Sequence, residues 1–219
     1  MFWVVVSSLL PGVFWLWFFN RYDYWEKEPV LNLALTLLSG AVAVVPALVW
    51  EAPFGRMLST TNSVLVQLGL SFFVVGFGEE LFKFGAVFFS AYRSPQFNEP
   101  MDGIIYAAAA AIGFSVVENV LYIASFGMSI APLRATISTL AHIAFSGLGG
   151  YYLGLAKFST PAGPLIARAL AVAAFLHGAF DFLLITRLAS PFVLVVAVLG
   201  LQALLFTAMG QASRISPFR

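Results

Sequence analysis

The chain has 219 residues, of which 61% are hydrophobic and 10% are charged, and its formal net charge is +1. Soluble domains carry about a quarter charged residues, and a core of this size could not bury so many apolar side chains. Ordinary water-soluble folds and disorder are therefore excluded. Nucleic-acid binding needs clustered Lys and Arg, which so small a net charge does not supply. The chain has no cysteine, which excludes disulfides, thiolate catalysis and Cys-ligated metals.

Charged and proline-rich breaks separate seven apolar segments of about 20 residues, the length that crosses a bilayer. In chain order they are Phe2 to Phe19, Val30 to Trp50, Val64 to Ala91, Gly103 to Phe126, Leu133 to Ala156, Leu165 to Thr186 and Pro191 to Met209. The first segment lacks a basic leader and a cleavage site, which favours an uncleaved helix. The longest hydrophilic connection is Asn20 to Pro29. We therefore expect an all-α polytopic transmembrane bundle that forms one integral-membrane domain over residues 1–219.

The orientation follows from the basic residues in alternate loops, because Lys and Arg are retained on the cytoplasmic side. The first, third and fifth loops and the C-terminal tail hold Arg21, Lys27, Arg93, Lys157, Arg168, Arg214 and Arg219. The opposite side holds Arg56, Arg134 and Arg187. This bias predicts an outside N-terminus and a cytoplasmic C-terminus.

Several ionisable side chains lie inside predicted spans, where each costs at least about 2.5 kcal/mol and therefore needs a partner or a function. They are Glu79, Glu80, Lys83, Glu118, His142, His177 and Asp181. Both histidines of the chain are in this set. On a regular helix the two adjacent glutamates flank a stripe that contains Gly69 and Gly76, and small residues indicate close helix approach.

Depth suggests that these residues meet. Glu118, His142 and His177 each lie about eight or nine residues from the outer end of their span, which is roughly 12 to 14 Å at 1.5 Å per residue. Glu79 and Glu80 match this level only if their helix is tilted or starts near Leu70. We therefore predict one polar site in the outer half of the membrane.

Such a set can activate water in two ways. A metal held by His and Glu lowers the pKa of its bound water, or a glutamate acts directly as general base. Asp181, four residues after His177, could orient that imidazole. The spans contain no HExxH, GxSxG or GxGD motif, so those hydrolase types have no support.

Four motifs follow one another on successive helices. They are EExxK at Glu79 to Lys83, FxxxEN at Phe114 to Asn119, His142 alone, and HxxxD at His177 to Asp181. Asp102-Gly103 and the EKEP of Glu26 to Pro29 extend the match over nearly the whole chain. In this order the chain resembles the PrsW family of intramembrane proteases, distant relatives of the CAAX prenyl endopeptidases and of bacteriocin-processing membrane proteases.

The resemblance implies a bacterial plasma-membrane protease, usually classed as a metalloprotease, that cuts a membrane-anchored protein such as an anti-sigma factor. It nominates Glu79, Glu80, Glu118, His142, His177 and Asp181 as catalytic, with Lys83 and Asn119 in support. Glu118, His142 and His177, at one depth, are candidate ligands for Zn²⁺ or another divalent metal. The CAAX branch leaves a metal-free mechanism open. It also favours Glu79 as the base, whereas the glycine stripe favours Glu80. The oligomeric state is left open.

Four other interpretations compete with this one, and one of them is a scaffold or immunity protein that retains the motif residues without activity. The Glu79, Glu80 and Lys83 group could be a structural ion pair. The buried carboxylates and histidines could relay protons or ions in a transporter, although we find no inverted repeat with broken helices. His142 and His177 could also ligate a b-type haem.

Overall fold

The computed structural model describes residues 2–23 and 25–219, and helices joined by short connections make up this part of the chain. The α-helices are α1 (Phe2–Tyr22), α2 (Val30–Glu51), α3 (Gly55–Thr60), α4 (Val64–Gly69), α5 (Phe77–Val87), α6 (Pro100–Phe126), α7 (Ala131–Leu133), α8 (Thr139–Lys157), α9 (Gly163–Thr186) and α10 (Pro191–Arg214). Short 3-10 turns lie at Ala52–Phe54 and Met128–Ile130, and π turns at Leu70–Gly76, Phe88–Tyr92 and Arg134–Ser138. The all-α fold is confirmed.

Six helical rods in the described residues are long and apolar enough to cross a membrane. They are Phe2–Tyr22, Val30–Thr60, Val64–Tyr92, Pro100–Phe126, Gly163–Thr186 and Pro191–Arg214. The remaining predicted span is also a helix, α8, but its mean hydropathy is lower than that of these six. Its sequence explains the difference, because it contains four glycines, two tyrosines, one serine and His142.

α8 nevertheless runs along most of α6 in the opposite direction. At one end the Oγ atom of Ser115 lies 3.0 Å from Oγ1 of Thr139. At the other end the two backbones almost touch, since a Cβ added at Gly154 would lie 2.1 Å from the carbonyl oxygen of Pro100. α8 therefore lies inside the bundle, where few of its side chains need to be apolar enough for lipid.

The core is centred on α6. Every residue from Pro100 to Ser115 is buried, including the five consecutive alanines from Ala107 to Ala111. Small side chains allow α2 to approach closely, so that a Cβ added at Gly113 would lie 1.9 Å from the carbonyl oxygen of Leu37. Large apolar side chains such as Trp3, Leu65 and Phe89 are exposed instead, as expected for a surface that faces lipid.

Successive long helices alternate in direction, and their ends gather on two sides that we name after the ends of α1. On the Phe2 side, Val4 packs with Ile123 near the end of α6. On the Tyr22 side, Trp25 Nε1 donates a hydrogen bond of 3.0 Å to Ser213 Oγ. On this side α1 ends at Tyr22, α6 begins at Pro100 and α8 ends at Lys157. Because α1 continues to Tyr22, the connection before α2 comprises residues 23–29.

Candidate active site

The predicted site residues meet at one level inside the bundle. They are Glu79, Glu80 and Lys83 on α5, Glu118 and Asn119 on α6, His142 on α8, and His177 and Asp181 on α9. Hydrogen bonds and ion pairs connect all eight residues into one network, in which Arg134 joins Asn119 to Glu118. The sequence thus predicts correctly that these side chains converge, while their roles in catalysis stay a prediction.

The Lys83 ammonium lies at the centre of this cluster and is 1% exposed. Its Nζ atom is 2.8 Å from Glu80 Oε1, 3.1 Å from Glu79 Oε2 and 2.8 Å from His142 Nδ1. It also lies 4.3 Å from the centre of the Phe114 ring. A buried ammonium is costly unless it is paired, and here two carboxylates compensate it. Lys83 therefore fixes the two glutamates and His142 relative to one another.

Glu80 is completely buried, and both of its carboxylate oxygens are hydrogen-bonded. Oε1 lies 2.8 Å from Lys83 Nζ and 2.9 Å from His177 Nδ1, while Oε2 accepts a hydrogen bond of 2.6 Å from Ser146 Oγ. Glu80 thus joins α5 to α8 and α9. Because its acceptors are already engaged, its carboxylate has little capacity left for a substrate or a water molecule.

Glu79 differs from its neighbour because it lines an open cavity. Its Oε2 atom is 3.1 Å from Lys83 Nζ and 3.8 Å from His177 Nε2. Its other oxygen makes no hydrogen bond or ion pair with the described residues. The Glu79 carboxylate can therefore still accept a proton or a ligand from the cavity.

His142 is oriented from both ring nitrogens. Nδ1 faces Lys83, and Nε2 lies 2.9 Å from Glu118 Oε2. An ammonium can only donate, so Nδ1 accepts from Lys83 and a proton on Nε2 faces the carboxylate. Glu118 is held in turn by Arg134, whose Nη2 lies 2.7 Å from Glu118 Oε2 and whose Nε donates to Asn119 Oδ1 at 3.0 Å.

His177 has carboxylates at both ring nitrogens. Nδ1 is 2.9 Å from Glu80 Oε1, and Nε2 is 3.4 Å from Asp181 Oδ2. Its ring stacks on Phe145 with 5.1 Å between the centroids, and it meets the His142 ring edge to face at 5.0 Å. This contact leaves no room for a porphyrin between the two imidazoles, so the structure does not support the haem interpretation.

A cavity of about 640 Å³ connects this cluster with the Phe2 side. Glu79, Glu118, His142, His177 and Asp181 form its polar floor, and Glu51 and Arg134 also line it, whereas Glu80 and Lys83 do not. Its walls are mostly apolar and come from the ends of α2, α6, α9 and α10. An apolar cleft with a few converging polar groups is the usual form of a binding site.

Two residues of the cluster were not predicted from the sequence. Arg134 was counted only for topology, although it lies eight residues, about two helical turns, before His142. Ser146 lies one turn after His142 and shares its helix face, and this spacing could have revealed it. The π turn at Arg134–Ser138 widens the helix between Arg134 and His142.

The predicted glycine stripe is only partly correct. A Cβ added at Gly76 would lie 2.6 Å from the backbone nitrogen of Gly178, so the chain does touch α9 at the end of the π turn that precedes α5. At Gly69 nothing lies within 4 Å of such a Cβ. The prediction assumed a regular helix, whereas the π turn at Leu70–Gly76 adds a residue per turn and changes the relative direction of the two glycines.

The donor set fits a divalent metal. One donor atom each from Glu79, His142 and His177 lies within 4.8 Å of the other two, and all three side chains are buried. Two imidazoles and one carboxylate are a ligand set typical of catalytic zinc. The sequence named Glu118 instead of Glu79 in this set. In the structure Glu118 contacts His142 from outside the group.

Comparison with known proteins agrees with these observations. The family model described as PrsW family intramembrane metalloprotease matches residues 28–209. Protease PrsW of Geobacillus kaustophilus is 31% identical over 188 residues, which cover 85% of this chain and 82% of that protein. Protease PrsW of Bacillus subtilis is 31% identical over 186 residues, covering 84% of each.

Protease PrsW of Clostridioides difficile is 30% identical over 191 residues, which cover 84% of this chain and 79% of that protein. No solved structure matches the chain significantly. The matched region includes every residue of the cluster described above. The chain is an integral membrane protein, and it belongs to the PrsW family of intramembrane metalloproteases.

Proposed function

We propose that this chain hydrolyses a peptide bond of a membrane-anchored protein, and that Glu79, His142 and His177 form its water-activating centre. The observation that carries the proposal is the position of these three side chains. Their donor atoms lie within 4.8 Å of one another at the floor of the cavity. A peptide bond and a water molecule entering from the Phe2 side would meet all three together.

Glu79 is the carboxylate that acts on water, and Glu80 positions its neighbours. Glu79 lines the cavity and keeps one carboxylate oxygen without a partner among the described residues, whereas both oxygens of Glu80 are hydrogen-bonded. A general base must be within hydrogen-bond reach of the proton that it accepts. Glu80 instead holds Lys83 and His177 in place from the protein interior.

The two histidines have different partners and therefore different roles. His177, aligned by Glu80 and Asp181, can donate a hydrogen bond to the oxygen that becomes negative when water attacks the peptide carbonyl. His142, whose two ring nitrogens contact Lys83 and Glu118, fixes these two side chains beside Glu79. The proton that Glu79 takes from the water can then pass to the leaving amine.

If a divalent metal such as Zn²⁺ is bound, Glu79 would be a ligand beside His142 and His177 instead of the base, and His142 Nδ1 would give up its contact with Lys83. The metal would then lower the pKa of a bound water towards neutrality. Glu118 and Asp181 would then orient the two imidazoles from outside the ligand set. We prefer Glu79 to the predicted Glu118 as ligand because Glu118 is already paired with Arg134 at 2.7 Å.

The substrate is a transmembrane or membrane-proximal segment, of which an anti-sigma-type protein is one example. The apolar walls of the cavity suit the side chains of such a segment, and the polar floor suits one exposed peptide group. Access from the Phe2 side corresponds to the outer half of the membrane if the N-terminus is outside. A transporter would need a path to the opposite side as well, and no observation favours one.

Cleavage of a single-span anti-sigma-type substrate in liposomes tests the assignment. We expect Glu79→Gln to lower the rate by about 10²–10⁴-fold, because the removed carboxylate acts in the transition state. Ser90→Ala is the matched control, since Ser90 lies on the same helical rod and bonds only to Ala86 O and Thr36 Oγ1, away from the cluster. Full activity of Glu79→Gln would refute the role of Glu79.

Metal analysis separates the two mechanisms. We expect about one zinc per chain in the purified protein, less than a tenth of that in His142→Ala, and loss of cleavage with a chelator that zinc restores. Cleavage that resists the chelator in metal-free protein, but is lost in Glu79→Gln, would show that the glutamate acts without a metal.

The orientation can be tested because the chain has no cysteine of its own. Ser63 lies in the connection before α4 on the Phe2 side, and Ser159 follows α8 on the Tyr22 side. We expect an impermeant thiol reagent added to intact cells to label Ser63→Cys and not Ser159→Cys. The reverse result would invert the proposed topology.

A further inference from the structure

A second group of acidic side chains lies at the opposite end of the bundle from the active-site cluster. Asp23 and Glu28 come from the connection between α1 and α2, and Asp102 comes from the first turn of α6. One carboxylate oxygen from each lies within 4.8 Å of the other two. The exposed fraction of the three residues is 1%, 4% and 1%. Three buried carboxylates from two parts of the chain thus meet on the Tyr22 side.

Local hydrogen bonds hold these carboxylates in position. Tyr106 donates its hydroxyl to Glu28 Oε2. Asn20 accepts from the backbone nitrogen of Glu28 at 2.9 Å and donates to its carbonyl oxygen at 3.2 Å. Asp102 Oδ2 accepts from two backbone nitrogens that precede α6, at 2.6 and 2.8 Å. The side chains are therefore fixed before any ligand arrives.

The group also contains buried oxygens without a partner. Asp23 Oδ2 and Asp102 Oδ1 make no hydrogen bond, and neither does Oε2 of the adjacent Glu26. No ion pair in the described residues involves Asp23, Glu28 or Asp102. The nearest basic residue in the sequence, Lys27, is exposed. Buried polar atoms in native proteins are almost always paired, so these oxygens indicate a missing ligand.

Electrostatics support the same conclusion. Burial and then the neighbouring Asp102 carboxyl raise the pKa of Glu28 to about 10, and burial raises the pKa of Asp23 to about 6. Such shifts mean that burial, and then the neighbouring acidic groups, disfavour the charged carboxylates, so that Glu28 keeps a proton at neutral pH unless a cation replaces it. A cation in contact with the oxygens would remove this cost.

We propose that Asp23, Glu28 and Asp102 bind a hard divalent cation, Ca²⁺, Mg²⁺ or Mn²⁺, at a site separate from the catalytic centre. The ligands are all oxygens, which suits these ions, whereas the histidine-containing cluster suits zinc. The bound ion would tie the connection between α1 and α2 to the start of α6. Since α6 also carries Glu118, the site would stabilise the helix that supports His142.

Mn²⁺ binding can be measured on the full chain in detergent, using the electron paramagnetic resonance signal of the free ion. Glu79→Gln serves as the background, because it weakens metal binding at the catalytic cluster. We expect one Mn²⁺ per chain in this protein, displaced by excess Ca²⁺ or Mg²⁺. Adding Glu28→Gln or Asp23→Asn should weaken binding at least about tenfold. Glu28→Gln keeps an oxygen that can accept from Tyr106.

Asp181→Asn in the same background is the control, since it removes a carboxylate from the cavity on the Phe2 side, and it should leave Mn²⁺ binding unchanged. No bound ion in monodisperse, helical Glu79→Gln protein would overturn the proposal, whether or not the double variants fold. Binding that survives both double variants would overturn it too. The readout does not depend on cleavage, so the result stands apart from the proposed protease mechanism.

Discussion

Gly76 controls how closely α5 approaches α9, and this distance determines the geometry of the site. In Gly76→Ala the new Cβ would lie 2.6 Å from Gly178 N and 2.7 Å from Ala174 O, both backbone atoms that cannot rotate away. Ordinary contact begins at 3.4 Å, so the two helices must separate by about 0.8 Å. The 2.9 Å contact between Glu80 and His177 would then lengthen to about 3.7 Å, which no longer counts as a hydrogen bond.

We expect Gly76→Ala to lower the cleavage rate on the order of 100-fold, the usual cost of displacing a catalytic group by about 1 Å. We also expect it to reduce stability by about 1–3 kcal/mol through overpacking. Gly85→Ala is the matched control, because Gly85 lies on the same helical rod and nothing lies within 4 Å of the added Cβ. Cleavage of the single-span substrate and thermal unfolding in detergent measure both effects. Equal rates for the two variants would refute the argument that this helix contact positions His177.

Two further substitutions test other contacts. Arg134→Gln should lower the cleavage rate about tenfold or more, because Glu118 loses its 2.7 Å partner and orients His142 less well. The control is Arg56→Gln, since Arg56 is exposed on the same side of the bundle. Equal cleavage rates for the two variants would contradict the role of Arg134. Gly154→Ala should destabilise the protein by about 1–3 kcal/mol or more, because its Cβ would lie 2.1 Å from a carbonyl oxygen of α6. Gly210→Ala is the control, because its Cβ would meet nothing within 4 Å. Similar melting temperatures for these two variants would argue against the close packing of α6 and α8.

Hydropathy predicts the helices well because the bilayer imposes a length and an apolar surface on each span. It predicts α8 least well. α8 packs inside the bundle, where Gly150 and Gly154 lie against α6, and its polar residues face other helices. The sequence does not predict the π turns either, because nothing in the local sequence distinguishes Leu70–Gly76 from a regular helix. Helix boundaries and register therefore had to come from the structure.

The site was largely predictable because charged residues inside spans are costly and therefore informative. Spacing and depth identified Glu118, His142 and His177 as neighbours, and the structure brings them together. The distinct positions of Glu79 and Glu80 were not predictable. Both lie on the same side of α5, and only the side-chain contacts show that one faces the cavity while the other is enclosed.

Charge compensation distinguishes the two acidic groups of the molecule. On the Phe2 side Glu79, Glu80 and Glu118 each have a basic partner within 3.1 Å, either Lys83 or Arg134, so this cluster is stable as the chain supplies it. On the Tyr22 side the carboxylates of Asp23, Glu28 and Asp102 have no basic partner in an ion pair among the described residues. Burying uncompensated charge is among the most expensive arrangements in a protein. The compensated group can therefore serve catalysis from a rigid framework, whereas the group on the Tyr22 side is the one that a bound cation would stabilise.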